Sequence, residues 1–314
     1  MSSSRWRFST PHLERLETRL QMSVSPPANT IGITVGSVTQ PGGISSASVT
    51  VAPRNLTAGK TSTLFGIFVQ PESGSRLAPR IVGVFEGNGQ KLLLKQGRPY
   101  VAGRDDGQAA AFVKVDRAGP LTILVAGQHQ STGTYQAYVT LAGDVNGDGT
   151  VNLADLTAFA AAYETGPGNP NYNAAADFNQ SGLININDAK ALMQNMTPLT
   201  PDIPLQAVVN LLPADQAHYA ASKNSGGSTF QRDVTIVGHT TPGSLVITDS
   251  KASDYSFTGA AVATNASGSF EVKATNKDGI NNNDFLILDP FHHQLVRDFP
   301  IFWISFAAPG SKLK

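Results

Sequence analysis

Twice the chain sets oxygen-bearing side chains at alternate positions around a glycine, in DVNGDGTVNLAD (144–155) and DFNQSGLININD (177–188). No other feature limits the fold as tightly. In such a loop the side chains at positions 1, 3, 5 and 12 can point at one centre. Glycine at position 6 allows the sharp turn, and position 7 offers its backbone carbonyl, so its side chain hardly matters. In the first loop these positions are Asp144, Asn146, Asp148, Gly149, Thr150 and Asp155. In the second, 33 residues on, they are Asp177, Asn179, Ser181, Gly182, Leu183 and Asp188. Calcium takes six to eight hard oxygens of this kind. A pair of Asx-rich turns that bind nothing is the plainer alternative. At position 8, Val151 and Ile184 match, and the spacing predicts that they pair the two loops.

Each loop runs into a helix-forming stretch, LADLTAFAAAY and INDAKALMQNM, in a chain that otherwise reads as strand and turn. Residues 143–199 carry six acidic residues against one lysine. Before them, short apolar runs recur at about ten-residue spacing: SASVTV, STLFGIFV, IVGVF, AFVKV, LTILVAG and YQAYVTL. After them come LQAVVNLL, DVTIVG, SLVITD, GSFEVKAT, DFLILD and PIFWISF. Strands bounded by Gly, Pro and Asn at that spacing predict antiparallel sandwiches. SPPANT and TPLTPDIP punctuate the chain as linkers. The expected fold class is therefore mainly β, with two antiparallel β-sandwich domains flanking a small α-helical paired-loop module. The expected divisions are a leader and linker at 1–30, a sandwich at 31–142, the loop module at 143–199 and a second, immunoglobulin-like sandwich at 200–314.

Composition narrows the partners. Net charge is zero and the pI is near 7, which argues against nucleic acid, since phosphate recognition needs a clustered basic surface. Without cysteine there is no disulfide, no thiolate metal site and no cysteine nucleophile. Calcium can take the place of disulfides as a staple outside the cell. No stretch approaches the ~20 apolar residues of a transmembrane helix. Nor does the leader have the apolar run of a secretory signal peptide.

Neither loop follows a good helix, and position 12 is Asp rather than the Glu of an ordinary EF-hand. Loop-then-helix, twice, with Asp155 and Asp188 closing the loops, resembles the dockerin type I module over residues 143–199. That resemblance implies two calcium ions. It also implies a ligand set of Asp144, Asn146, Asp148, Thr150 and Asp155, then Asp177, Asn179, Ser181, Leu183 and Asp188. It implies a cohesin-like or other surface protein as partner, with polysaccharide as a further candidate. Dockerins usually meet cohesins through small hydroxyl residues at positions 10 and 11. Here those positions hold Leu153 and Ala154, then Ile186 and Asn187, and the two aliphatics can instead pack the module's own core. LERLETRL in the leader is similar to the N-terminal segment of modular surface proteins of planctomycete bacteria, which implies export or surface sorting. The first β segment resembles the prepeptidase C-terminal β-domain, and ITDSKASDYSFTG with NASGSFEVKATN resembles bacterial immunoglobulin-like repeats.

No catalytic motif is present. His12, His129, His218, His239, His292 and His293 form no HExxH pair, and there is neither a GxSxG elbow nor a phosphate loop. His292–His293, Asp105–Asp106 and the Asp278–Asp284 stretch read as turns. The expectation is a non-catalytic, calcium-binding, extracellular or cell-surface modular protein with a structural, adhesive or attachment role. The alternative is an enzyme or carbohydrate-binding accessory of polysaccharide degradation, because two carboxylates across a cleft leave no sequence motif.

Overall fold

The computed structural model describes residues 26–92, 108–211, 220–221, 227–229, 233–249, 257–275, 279–281, 283–298 and 301–303. The LERLETRL segment, Asp105–Asp106, Asp278, His12 and His218 lie outside them. Among the described residues the fold is mainly β, with two α-helices.

Seven strands come first: β1 (Thr30–Val38), β2 (Ile44–Val51), β3 (Thr63–Pro71), β4 (Pro79–Glu86), β5 (Ala109–Val115), β6 (Gly119–Gly127) and β7 (Gly133–Leu141). They form two antiparallel sheets, ordered β1-β7-β3-β5 and β2-β6-β4. Strand alternation puts Tyr135, Ala137 and Val139 of β7 into one core with Val49 and Val51 of β2 and Ile123 and Val125 of β6. β1 inverts the usual pattern. Its Ile33 and Val35 are 53% and 64% exposed, while glycines alternate with them. A side chain at Gly32 would strike Val49, and one at Gly36 would strike the Tyr135 ring. Larger neighbours fill the space on that side, so the aliphatic residues of β1 face out.

Helices α1 (Leu153–Ala162) and α2 (Ile186–Asn195) each start at position 10 of a loop. Asn152 and Asn185, at position 9, are the N-caps and accept hydrogen bonds from Ala154 N (2.8 Å) and Asn187 N (2.9 Å). The position-12 aspartates close a capping box, accepting from Asn152 N (2.9 Å) and Asn185 N (3.0 Å). One residue thus ends the loop and starts the helix.

The remaining strands are β8 (Val208–Leu211), β9 (Ala220–Ala221), β10 (Gly227–Thr229), β11 (Asp233–His239), β12 (Leu245–Thr248), β13 (Ala261–Ala263), β14 (Ser269–Thr275), β15 (Gly279–Asn281), β16 (Asp284–Leu288), β17 (Gln294–Asp298) and β18 (Ile301–Trp303). Their sheets are ordered β14-β11-β8, β13-β12-β16-β17 and β15-β18-β10-β9. The expected all-antiparallel pairing fails at one place, because β10 and β18 run parallel. Parallel neighbours need a crossover rather than a hairpin, and the chain between them supplies it. β12 and β16 are buried on both faces. Val246, Phe285 and Ile287 face a core with Val234 and Ile236 of β11. Leu245, Ile247, Leu286 and Leu288 belong to the other core, with Leu156 and Phe159 of α1 and Leu192 of α2. That second core runs on without a break into the first β unit.

Candidate metal centre

The two loops share most of their hydrogen bonds. Asp144 accepts from Asp148 N (3.0 Å) and Gly149 N (2.9 Å); Asp177 accepts from Ser181 N (2.9 Å) and Gly182 N (2.8 Å). The position-3 amide oxygens of Asn146 and Asn179 accept from the same position-5 N–H groups at 2.9 and 2.8 Å. Asp155 accepts from Val145 N (2.9 Å) and Asn146 N (3.1 Å), and Asp188 from Asn179 N (3.2 Å). Positions 4 and 6 are left-handed in both loops: Gly147 (φ 76°) and Gly149 (88°), Gln180 (54°) and Gly182 (82°). A non-glycine residue seldom sits there. Gln180 is held by its side chain, whose Nε2 donates to Tyr138 Oη of β7 at 2.9 Å.

The carboxylates at positions 1 and 12 are buried, Asp155 and Asp188 completely. Burial pushes the Asp144 carboxyl up to about 6, and the Asp155 and Asp148 charges push the same way. Burial likewise raises Asp188 to about 7, with the Asp177 charge adding to it, and it raises Asp155. Among the described residues no Lys, Arg or His forms an ion pair with Asp144, Asp155 or Asp188. Their hydrogen-bond donors are backbone N–H groups. Buried carboxylates kept without a counter-ion, beside amide, hydroxyl and carbonyl oxygens and no nitrogen or sulfur ligand, are the donor set of a hard cation.

The expected convergence of Asp144, Asp148 and Asp155 is not present. Among the described residues no three His, Asp or Glu side chains are gathered about one point. The reason is local. Asp148 is exposed and accepts from Thr150 N (2.9 Å), Thr150 Oγ1 (2.7 Å) and Asn146 Nδ2 (3.0 Å), and the Thr150 bonds hold its carboxyl below the usual range. In loop two Ser181 Oγ donates to the Leu183 carbonyl at 3.1 Å.

Position 8 also departs from expectation. Val151 and Ile184 are buried but do not hydrogen-bond each other. Instead Thr197 N donates to Val151 O (3.2 Å) and Glu164 N to Ile184 O (2.8 Å). Each loop is thereby tied to the chain leaving the other repeat's helix, the two bonds related by the same 33-residue offset. With no entering helix to set the loops side by side, the departing segments take the bonds. Leu153 and Ile186 are half-buried against the core, whereas Ala154 and Asn187 are exposed.

The chain from 142 to 197 matches the family model of the dockerin type I domain. This segment is similar to dockerin modules. No curated protein matches the chain. A crystal structure of a Corynebacterium diphtheriae protein described as membrane anchored is similar at 10% identity over 88% of this chain, with a TM-score of 0.20. The chain spans 59% of that protein, and a TM-score so low carries no argument.

Tyr172 carried no signal in the sequence. Tyr172 Oη donates to Asp177 Oδ2 at 3.0 Å, without a counterpart in loop one. The N-cap asparagines could have been found, since both stand at position 9. His292 and His293 lie in the β16–β17 turn, with His292 at φ 72° and His293 Nδ1 2.9 Å from Asp289 Oδ2. Among the described residues no helix is long and apolar enough to cross a membrane.

Proposed function

We propose that this is a non-catalytic, calcium-binding modular protein of the cell surface or extracellular space, in which two sandwich-like β units flank a dockerin module with a structural or attachment role. The observation that carries the reading is the pair of loops with matching hydrogen-bond scaffolds and buried carboxylates at positions 1 and 12. Asp144, Asn146, Asp148, Thr150 and Asp155 would hold one ion, and Asp177, Asn179, Ser181, Leu183 and Asp188 the other, with Thr150 and Leu183 giving main-chain carbonyls. A bound cation neutralises the repulsion among buried carboxylates. Dockerin modules attach their proteins to partners. With Leu153 and Ile186 half-buried against the core and Ala154 and Asn187 exposed, positions 10 and 11 present no hydroxyl, so the partner would differ from a cohesin that reads hydroxyl pairs. Calorimetry with calcium chloride on the whole chain tests the reading: two bound ions support it and none refutes it. A pull-down from surface extract, with calcium and with chelator, tests the attachment role.

A further inference from the structure

We propose that the dockerin module is also an internal clasp, which holds the first and last β units in one fixed relation when its loops are filled, with Asn195 as the latch. The proposal rests on the calcium reading above.

Asn195 is the last residue of α2 and is wholly buried. Its Oδ1 accepts from Leu64 N (2.7 Å), and its Nδ2 donates to Leu64 O (2.7 Å) and Ala142 O (2.6 Å). Leu64 belongs to β3, and Ala142 follows β7, the strand paired with β3. The carboxamide therefore continues a β ladder as a peptide group would. The start of the same helix is fixed by loop two, through Asn185 and Asp188. Ten residues of α-helix span ~15 Å and form a stiff rod. Whatever sets the geometry of loop two at one end places Asn195 at the other.

The module grips the last β unit as well. Tyr163, which caps α1, donates its hydroxyl to Phe257 O at 3.0 Å. Ala158 and Ala160 of α1 and Ala261 and Ala263 of β13 pack on the same core, small side chains that let helix and strand lie close. Leu245, Ile247, Leu286 and Leu288 add an aliphatic strip to that core. Lys60, from the first β unit, donates to Met193 O of α2 (3.4 Å) and to Pro290 O beyond β16 (2.7 Å), touching all three parts. Asn29 Nδ2 bridges Leu141 O and Ala175 O, each at 3.3 Å. A module that merely tethered two domains would have no need of two buried amides at one seam and a buried hydroxyl at the other. Loss of the cation leaves carboxylates repelling inside the loops, which frees the helix starts and, through them, the latch.

The chain has no cysteine, so two labels can be placed cleanly at Ser73→Cys, in the exposed turn after β3, and Ala266→Cys, in the exposed turn before β14. The distance distribution between them is read by pulsed spin-label spectroscopy, with bound calcium counted by calorimetry on the same protein. One narrow distance with calcium and a broad, longer distribution with chelator support the clasp. Asn195→Ala should broaden the distribution even in calcium while changing the calcium affinity less than about threefold. If that variant does not fold, Tyr163→Phe, which removes one hydroxyl, should give a smaller broadening. Calcium bound and then removed without any change in distance overturns the clasp and leaves the calcium reading intact. A narrow distribution in folded Asn195→Ala overturns the latch. Absence of calcium binding overturns the calcium reading, and the calcium dependence of the clasp with it.

Discussion

Loop one and loop two share a scaffold and differ in what hangs from it. Position 5 is Asp148 in the first and Ser181 in the second; position 4 is Gly147 and Gln180. Loop one leaves Asn146 and Asp148 in water, whereas Asn179 is buried. The first loop has more carboxylate, and the second has more attachment: Gln180 to Tyr138, Tyr172 to Asp177, and Asn195 at the end of its helix, where α1 has Ala162. One repeat is better furnished to take up charge, the other to hold the first β unit. Hydrogen-bond scaffold and ligand chemistry have been varied independently.

The largest effect expected is that of removing calcium from both loops. At ~1 mM calcium and a dissociation constant of ~1 μM, binding stabilises the folded chain by about 4 kcal/mol per site, about 8 kcal/mol for two independent sites. Thermal unfolding followed by circular dichroism should show the helical signal lost first on chelation. Helicity unchanged by chelator would break the comparison altogether, since neither loop would then be a metal site. Next is Asn195→Ala, which takes the side-chain partner from Leu64 N and Ala142 O in the core, while Leu64 O keeps Ala142 N, and should cost about 2–4 kcal/mol. Its mirror, Ala162→Asn, cannot restore what loop one lacks. Equal stability of Asn195→Ala and wild type in urea would refute the division of labour.

Acidity gives a smaller and more selective effect. An unfolded aspartate titrates near 3.9, while folded Asp144 and Asp188 hold protons to about 6 and about 7. The folded pKa values are raised, so the stability this lends the metal-free fold is complete below about pH 4 and is lost as pH rises through 6 and 7. Calcium requires the ionised forms. From pH 8 to pH 6 the affinity of loop two should fall about tenfold and that of loop one less, seen by calorimetry at the two pH values. Parallel loss in both loops would contradict the ranking of Asp188 above Asp144.

Ser181→Asp should tighten loop two several-fold, about 1 kcal/mol, because ligand charge tunes affinity. An unchanged weaker binding event would remove Ser181 from the ligand set. The smallest effect belongs to Leu183→Ala. Leu183 is 40% exposed and would offer only its carbonyl, so calcium affinity should stay within about twofold. A larger loss would mean that its side chain matters.

Both helices and the strand runs from SASVTV to YQAYVTL could be read from the sequence, because each rests on local periodicity and turn residues. The loops could be read as well, because their spacing is short and repeated. What could not be read depends on distant neighbours. The aliphatic alternation of β1 points outward because Val49 and Tyr135 occupy the inner side. Val151 and Ile184 look like partners, but each bonds the chain leaving the other helix. Asp148 looks like a ligand already in place, yet in the described fold Thr150 holds it outward. Asn195 carries no motif, and its role exists only once β3 lies against it.

The five-residue run DFLIL is buried at every position, not at every other one. Its strand has no water-facing side, and neither does most of β12. A fragment beginning after residue 199 would therefore carry Leu245, Ile247, Leu286 and Leu288 uncovered on one sheet face. Contiguous aliphatic surface of that sort drives self-association. Recombination that shuffled this β unit away from its helical neighbour would tend to yield insoluble chains, so the two segments should travel together.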